Sequence, residues 1–363
     1  YNPNTSEKGS LYPLYGNGNH NISVGDVDGD GCDEIVWGSG ALDNDGQLLY
    51  SVGYGHGDAI HLADFDPDRP GLELFDVHEE KINPYGGDLH DAATGEVLYN
   101  FTANADTGRG MAADIDADNR GGEFWSTGGS EVRSTNGTTI STSRPSLCMR
   151  IYWDGDLQEE LFDGHYDTNT LKCNPAVEKW NTSRKKANTY KSFTDIGNSQ
   201  TCNTTKATPN LIADLFGDWR EEIIMWDYSD GCTINIFSTN EDTQYRIPTL
   251  MHDHVYRLGI AWQNVAYNQP AHVGVYLPDY VEYLATTEPI EESLSEEEMQ
   301  TVAGTITLPF YDGNTDFAIN YSHEIKGKIT ATVQLGSALG CIARRFVNEA
   351  PFNEFSSTEI NAT

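Results

Sequence analysis

The stretch DVDGDGCDE, residues 26–34, decides the fold class of this 363-residue chain. Carboxylates stand at its positions 1, 3 and 5, which are Asp26, Asp28 and Asp30, and Glu34 stands at position 9. Hard oxygen ligands in this alternation can wrap one Ca²⁺, and a glycine after the third Asp permits the sharp turn that such a loop needs. An apolar, strand-like run follows instead of a helix. The stretch therefore predicts a calcium loop that opens a β-strand.

The same phrase recurs along the chain, as DFDPDRPGLE from residue 64, DIDADNRGGE from 114, DLFGDWREE from 214 and, more weakly, WDGDLQEE from 153. The acids that open the following strands are in register at intervals of 39, 50, 37 and 62 residues: Glu34, Glu73, Glu123, Glu160 and Glu222. Each interval has room for about four short strands, the content of one propeller blade. We therefore predict an all-β fold, a calcium-binding β-propeller with about five or six blades in this chain.

Two of the later loops keep the triple Asp and carry one more residue before the acid. Their predicted calcium ligands are Asp64, Asp66 and Asp68 with Glu73, and Asp114, Asp116 and Asp118 with Glu123. The loop at Asp214 has Phe216 in its middle position, so Asp214 and Asp218 are as well explained by Asx-type capping of a turn as by a metal. Such ions would bind only the folded loops and would stabilise the fold by mass action.

Composition and charge narrow the classes of partner. Hydrophobic residues make up 38% of the chain and aromatic residues 11%, enough for a real core, while 35 glycines suit many tight turns. A net charge of −34 repels nucleic acids and anionic membrane surfaces and favours divalent cations. The chain has no run of about 18 apolar residues, so we predict no membrane span.

The cysteines, the sequons and the last third of the chain lead to further expectations. None of the six cysteines forms a CxxC pair, and Cys173 and Cys202 are candidates for a disulfide. Eight N-glycosylation sequons favour a secreted protein: Asn4, Asn21, Asn100, Asn136, Asn181, Asn203, Asn320 and Asn361. We predict propeller blades over residues 1–280, an acidic linker or short helix over 281–300, and over 301–363 either a small β-rich module or strands that close the ring.

Several glycine-rich phrases concentrate His, Asp and Arg, and glycine there lets the backbone approach a ligand closely. They read GHGDAIHLADFDPDRPGLE from residue 55, GRGMAADID from 108, ADLFGDWREE from 213 and AWQNVAYNQP from 261. Together these phrases closely resemble the family 11 rhamnogalacturonan lyases, over about residues 15–285. The resemblance implies an eight-bladed calcium-binding propeller with a central cleft, which cleaves the galacturonate–rhamnose backbone of pectin by β-elimination. Because this chain has too few blades for that ring, we expect a missing segment or a second chain to complete it.

Carried over to this sequence, the resemblance implies roles for particular residues: His20, His56 and Asp58 around an active-site calcium, Arg109 and Lys206 facing uronate carboxylates, and Asn203 and Tyr267 lining the cleft. Lys206 is the preferred general base and Tyr267 the second choice. β-Elimination removes the weakly acidic C5 proton of a uronate, so the adjacent carboxylate must be neutralised by a cation or arginine. A calcium ion would also let an acidic protein bind an acidic polysaccharide.

A second interpretation stays open on the residues themselves. The Asn203 sequon lies beside the predicted site, and a glycan there would block a cleft, which favours a non-catalytic calcium propeller for adhesion, glycan binding or structural assembly. The histidines outside the matched set are interpreted as structural: His61, His252, His254 and His272, with His78 ambiguous.

Overall fold

The structure, a computed structural model, describes residues 14–79, 85–265 and 267–286, together with three strands between residues 301 and 334. The chain divides into two compact units. One comprises Tyr1–Gly231 with Asn235–Thr286, and the other comprises Cys232–Ile234 with Thr287–Thr363.

The first unit contains five four-stranded sheets in chain order, and their strands pair mostly antiparallel. The first three sheets comprise β1 (Ser23–Gly25), β2 (Glu34–Val36), β3 (Gly40–Leu42), β4 (Leu48–Ser51), β5 (Gly57–Ala63), β6 (Glu73–His78), β7 (Tyr85–Asp91), β8 (Val97–Thr102), β9 (Gly110–Ala113), β10 (Glu123–Ser126), β11 (Val132–Arg133) and β12 (Thr139–Ser141). The fourth and fifth comprise β13 (Met149–Ile151), β14 (Glu160–Asp163), β15 (Ala176–Asn181), β16 (Lys186–Ser192), β17 (Ser199–Gln200), β18 (Leu211–Ala213), β19 (Glu222–Asp227) and β20 (Ile234–Phe237). The prediction of an all-β chain is confirmed.

The described residues also form four short helices: η1 (Thr204–Lys206), η2 (Leu250–His252), α1 (His254–Trp262) and α2 (Leu277–Thr286). The side chain of Asp253 caps α1 by accepting a hydrogen bond from the backbone N–H of Tyr256 at 2.7 Å. The sequence analysis did not predict α1. No helix of the described residues is long and apolar enough to cross a membrane.

The core lies between consecutive sheets, since each pair of neighbours shares one cluster of buried side chains. Residues that represent the four clusters in chain order are Val36 with Ile60, Phe75 with Phe124, Trp125 with Leu161, and Phe162 with Ile223. β5 is buried along its whole length because it is covered on both faces. Only glycine fits at Gly57, where a Cβ atom would lie 2.2 Å from the carbonyl oxygen of Val77.

We call the strand that leads into the Asp-rich loop of each sheet its first strand; these strands are β1, β5, β9, β13 and β18. The segment from α1 to His272 lies against several of them. Gln263 exchanges two hydrogen bonds of 2.8 Å with the backbone of Ile212 in β18. His272 contacts His61 in β5 at 2.9 Å, and the Arg150 guanidinium of β13 donates to the carbonyl of Ala271. This segment therefore joins sheets that are far apart in sequence through hydrogen bonds.

The Asp-rich loops leave the carboxyl ends of these first strands and link neighbouring sheets. Gly122 donates its backbone N–H to Phe65 O at 2.8 Å, and Glu159 donates to Asp114 O at 2.7 Å. Each loop thus serves the sheet that follows it as well as its own.

In the second unit, β21 (Thr301–Pro309), β22 (Asp316–Glu324) and β23 (Lys328–Gln334) form an antiparallel sheet of three strands. These strands lie within residues 301–363, for which the sequence predicts either a small β-rich module or strands that close the ring. The predicted acidic linker overlaps α2 up to residue 286, and its remainder lies outside the described residues.

The predicted disulfide is wrong. Cys173 and Cys202 are both free, as are Cys32 and Cys148. The thiol of Cys173 is buried and accepts a hydrogen bond from the hydroxyl of Thr201 at 2.8 Å.

Candidate functional site

The residues predicted for chemistry lie just before or at the start of the first strands, at the end opposite to the Asp-rich loops. His20 precedes β1, Asp58 lies at the start of β5, Arg109 precedes β9, and Lys206 ends the helix η1 ahead of β18. Tyr267 joins them from the segment after α1, and its backbone N–H donates to His20 O at 3.4 Å. The fold therefore brings together residues that are more than 240 positions apart in sequence.

His20, His56 and Asp58 form a compact cluster of donor groups, whose potential ligand atoms lie within 4.8 Å of one another. His20 Nε2 lies 3.3 Å from Asp58 Oδ1, and the rings of His20 and His56 meet edge to face at 4.7 Å. Asp58 Oδ1 is buried and has no hydrogen-bond partner, and burial raises the pKa of this carboxyl. A buried carboxylate oxygen beside two imidazoles fits a cation.

Two acids that the sequence analysis did not single out extend this cluster. Glu79 and Asp106 form a second potential ligand group with Asp58, again with ligand atoms within 4.8 Å. They add the hard oxygen ligands that Ca²⁺ prefers over imidazole. The position of Asp106, three residues before Arg109 in the phrase ADTGRG, was the only sequence signal for it.

Lys206 lies beside the aromatic ring of Tyr267 and next to a second cation. Its Nζ atom is 3.8 Å from the centre of the Tyr267 ring, and Arg109 donates from Nη2 to the carbonyl oxygen of Lys206 at 3.1 Å. Burial, and then the charge of Arg109, lower the pKa of Lys206, although Asp58 and Asp106 oppose the shift. A lysine with a lowered pKa offers a neutral amine, which is what a general base requires.

The loop that presents Lys206 is strained. Asn203, Thr204 and Ala207 all adopt positive φ angles, of 63°, 43° and 53°. Backbone hydrogen bonds between Cys202 and Thr208, at 2.7 and 3.2 Å, close the loop at its base. Left-handed backbone at three non-glycine residues is costly, and such strain concentrates at functional sites. Asn203 is exposed in this loop, beside Lys206 in sequence.

The three Asp-rich loops share one arrangement around their closing glutamate. Oε2 of Glu73 accepts the backbone N–H groups of Phe65 and Asp66 at 3.0 and 2.9 Å, and Glu123 binds its own loop in the same way. The other carboxylate oxygen, Oε1, is buried without a hydrogen-bond partner in Glu34, Glu73 and Glu123 alike.

These orphaned oxygens mark the point at which a cation fits. Both carboxylate oxygens of Asp114 and one of Asp64 are also buried and unpartnered. Burial raises the pKa of Glu73 to about 7 and that of Asp64 to about 6, and the charges of neighbouring acids add to both shifts. The donor set of these loops therefore fits a hard divalent cation such as Ca²⁺.

The loop at Asp214 differs from these three. Asp214 accepts from Gly217 N at 2.7 Å, from the Thr249 hydroxyl at 2.7 Å and from Leu250 N at 2.9 Å, so both its oxygens are satisfied. Its neighbour Asp218 binds Arg220 at 2.7 Å. The geometry favours the capping alternative over a metal here.

Four of the histidines outside the matched set have protein partners. His61 and His272 are hydrogen-bonded to each other in the core, and burial lowers the pKa of both, that of His61 to about 4. His78 is buried at 2.6 Å from Asp88; although burial alone would lower its pKa, Asp76 and Asp88 raise it. His254 binds Asp33 at 2.8 Å. His252 is exposed at the end of η2.

Comparison with known proteins places these features in a family. Residues 3–287 match the family model described as rhamnogalacturonan lyase family 11, C-terminal domain. Two proteins of Bacillus subtilis (strain 168), rhamnogalacturonan endolyase YesW and rhamnogalacturonan exolyase YesX, are each 47% identical, over 275 and 270 residues. These matches cover 76% and 72% of this chain but only 42% and 43% of the relatives, so the chain spans less than half their length.

Solved structures agree. The crystal structure of YesW superposes with a TM-score of 0.66 and that of YesX with 0.68, each at 46% sequence identity over 72% of this chain. These matches cover 42% and 44% of the two solved chains. The family model covers well over half of the 363 residues, including every site residue discussed above. The chain therefore belongs to rhamnogalacturonan lyase family 11, over the region described by the model of that family's C-terminal domain.

Proposed function

We propose that the protein is a lyase that cleaves the galacturonate–rhamnose backbone of rhamnogalacturonan by calcium-assisted β-elimination. The observation that carries the proposal is the meeting of Lys206, Arg109 and Tyr267 with the His20–Asp58 cluster at one end of the first strands. The relatives at 47% identity carry rhamnogalacturonan lyase names, which supports this activity over a non-catalytic propeller.

Each residue has a distinct part in the proposed reaction. Lys206 in its neutral form, which a pKa lowered by burial and by Arg109 makes more accessible, accepts the C5 proton of the uronate. The electron pair left at C5 forms the C4–C5 double bond as the bond from C4 to the glycosidic oxygen breaks, and the departing oxygen takes up a proton from water. The guanidinium of Arg109 faces the uronate carboxylate, and Tyr267 and Asn203 line the cleft and orient the sugar. When bound at His20, His56 and Asp58, Ca²⁺ supplies positive charge that makes the C5 proton more acidic.

We further propose that the five sheets are consecutive blades of a β-propeller held by structural calcium ions. The proposal is supported by the chain order of the sheets, the cores between neighbours and the orphaned glutamate oxygens of three loops. Segments of the kind that the longer relatives possess would supply the other blades. Because pectin lies outside cells, we also propose that the protein is secreted, and the eight sequons support a glycoprotein.

An assay on rhamnogalacturonan tests the activity directly. In calcium chloride, the protein is expected to release 4,5-unsaturated uronides, detected by their ultraviolet absorbance, and EGTA is expected to suppress the release. Polygalacturonan, which lacks rhamnose, is the matched control substrate and should yield little product. Chromatography of the products then separates endo from exo cleavage. A folded, calcium-loaded protein that releases no unsaturated product would contradict the proposal.

The structural ions lead to a separate prediction. Glu73→Gln removes the charge of a carboxylate whose Oε1 has no partner, so elemental analysis is expected to find one calcium fewer per chain. The melting temperature in calcium should fall by about 5–10 °C, because an ion at about 100 times its Kd contributes about 2.7 kcal/mol. Glu96→Gln, at an exposed glutamate of the same sheet, is the control. Equal calcium content in the two variants would rule out an ion at this loop.

A further inference from the structure

The loop of the fourth sheet folds like the calcium loops but contains a different cation. Oε2 of Glu160 accepts the backbone N–H groups of Trp153 and Asp154 at 3.0 and 3.1 Å, as Glu73 and Glu123 do in their loops. This shared pattern places Asp154 at the middle position of the triple-Asp phrase and Asp156 at its last position. Tyr152 stands where the other loops have their first Asp.

The ammonium group of Lys179 lies where the three carboxylates of this loop converge. Its Nζ atom donates to Glu160 Oε1 at 2.9 Å, to Asp156 Oδ2 at 2.6 Å and to Asp154 Oδ2. Glu160 Oε1 is the counterpart of the oxygens that are orphaned in Glu34, Glu73 and Glu123. One amine therefore satisfies the ligand set that a calcium ion would bind.

The strand register shows why a lysine reaches this point. Leu161 of β14 pairs with Glu178 of β15, so Glu160 and Lys179 are the next residues of the same antiparallel ladder. The register of the other sheets puts Asp43, Asp91 and Ser134 opposite their closing glutamates. Oxygen-bearing side chains stand at this position in the three calcium loops, and a cation stands there only in the fourth of these sheets.

A lysine near an acidic loop does not by itself complete the ligand set. Lys185 lies 2.7 Å from Asp116 Oδ2 and 3.4 Å from Asp118 Oδ2 in the third loop. It does not satisfy Glu123 Oε1, which stays unpartnered together with both oxygens of Asp114. The third loop keeps free ligands for an ion, whereas the fourth has its glutamate and both its aspartates bound to one amine.

We propose that the ammonium group of Lys179 replaces a calcium ion in the fourth loop, so that this sheet is stabilised without the ion. The inference rests on the proposal that the loops at Asp26, Asp64 and Asp114 bind calcium. Chelation would then loosen the first three sheets and leave the fourth fastened.

Anomalous diffraction from crystals of the whole protein soaked in terbium chloride tests the wild type. Terbium, a calcium substitute, is expected at the loops of Asp26, Asp64 and Asp114 and absent from the loop of Asp154. A terbium peak bound by Asp154, Asp156 and Glu160 would overturn the inference. Absence from all four loops would refute the calcium proposal and, with it, the inference that Lys179 replaces calcium.

The variant Lys179→Met leaves three carboxylates without their cation. In EGTA, its melting temperature is expected to lie about 5–10 °C below that of the wild type, since removing one partner of a largely buried ion pair is strongly destabilising. Calcium should raise the melting temperature more in this variant than in the wild type. Lys191→Met, at an exposed lysine of β16, is the control and should change neither value. A variant as stable as the wild type in EGTA, or one that calcium stabilises no further than the wild type, contradicts the inference.

Discussion

Lys206→Met is expected to lower kcat on rhamnogalacturonan about 1,000-fold, within the range that general-base catalysis contributes. KM should change much less, since the other residues proposed to bind calcium and sugar remain. Wild-type kcat should rise with pH through the pKa of Lys206, which lies below the ordinary lysine range, and the variant should lose this limb. Initial rates of unsaturated-uronide formation across pH measure both effects.

Lys206→Arg separates a base from a simple positive charge. Arginine keeps the charge that faces a uronate carboxylate but does not deprotonate in proteins, so it should be as inactive as methionine. If the arginine variant keeps more than about a tenth of the wild-type kcat, Lys206 is not the base. Tyr267→Phe then becomes the decisive variant, because Tyr267 is the alternative base and lies 3.8 Å from the lysine. Melting curves show whether each variant remains folded.

Arg150→Met is expected to have the largest effect on stability, a loss of about 3–5 kcal/mol in the free energy of unfolding. The Arg150 guanidinium is fully buried, with Nη1 at 2.6 Å from Glu221 Oε2 and Nε at 3.2 Å from Glu159 Oε1. It also donates to Ala271 O and so joins the fourth and fifth sheets to the segment after α1. Removing it leaves two buried carboxylates without a counter-charge. Urea denaturation of the soluble variant measures the loss.

A combined variant tests this explanation. Adding Glu159→Gln and Glu221→Gln to Arg150→Met removes the uncompensated charges and should recover part of the lost stability, because neutral replacement of a buried ion pair costs far less than breaking it. Burial raises the pKa of Glu159 to about 7 even with the arginine present, which shows how readily that carboxyl takes up a proton. If the triple variant is less stable than Arg150→Met, the loss comes from packing and not from charge.

The local parts of this protein were predictable from its sequence. The Asp-rich loops carry their ligands within ten residues, and the closing glutamate follows in register, so spacing alone indicated them. The members of the candidate site were named through the family resemblance, and the fold brings them together. Asp106 and Glu79 were missed because neither belongs to a repeated phrase.

Contacts that depend on register or tertiary packing were not predictable. Lys179 follows its loop by more than 20 residues and reaches it only through the pairing of β14 with β15. Helix α1 has only nine residues and depends on the Asp253 cap and on packing against β1, so no strong periodic pattern announced it. Cys173 and Cys202 were only candidates for a disulfide from the sequence, and the fold leaves both thiols free.

The first strands carry the candidate site residues at their starts and the Asp-rich loops at their ends, and this separation has an evolutionary consequence. Insertions in the turns beside His20 or Arg109 can change substrate preference without disturbing the Asp-rich loops, which lie a strand length away. The turns at the starts of these strands and the loops at their ends can therefore change in sequence independently of each other. A library randomised only in the turns beside His20 and Arg109 should retain a high fraction of folded members, which makes this domain a practical scaffold for new carbohydrate specificities.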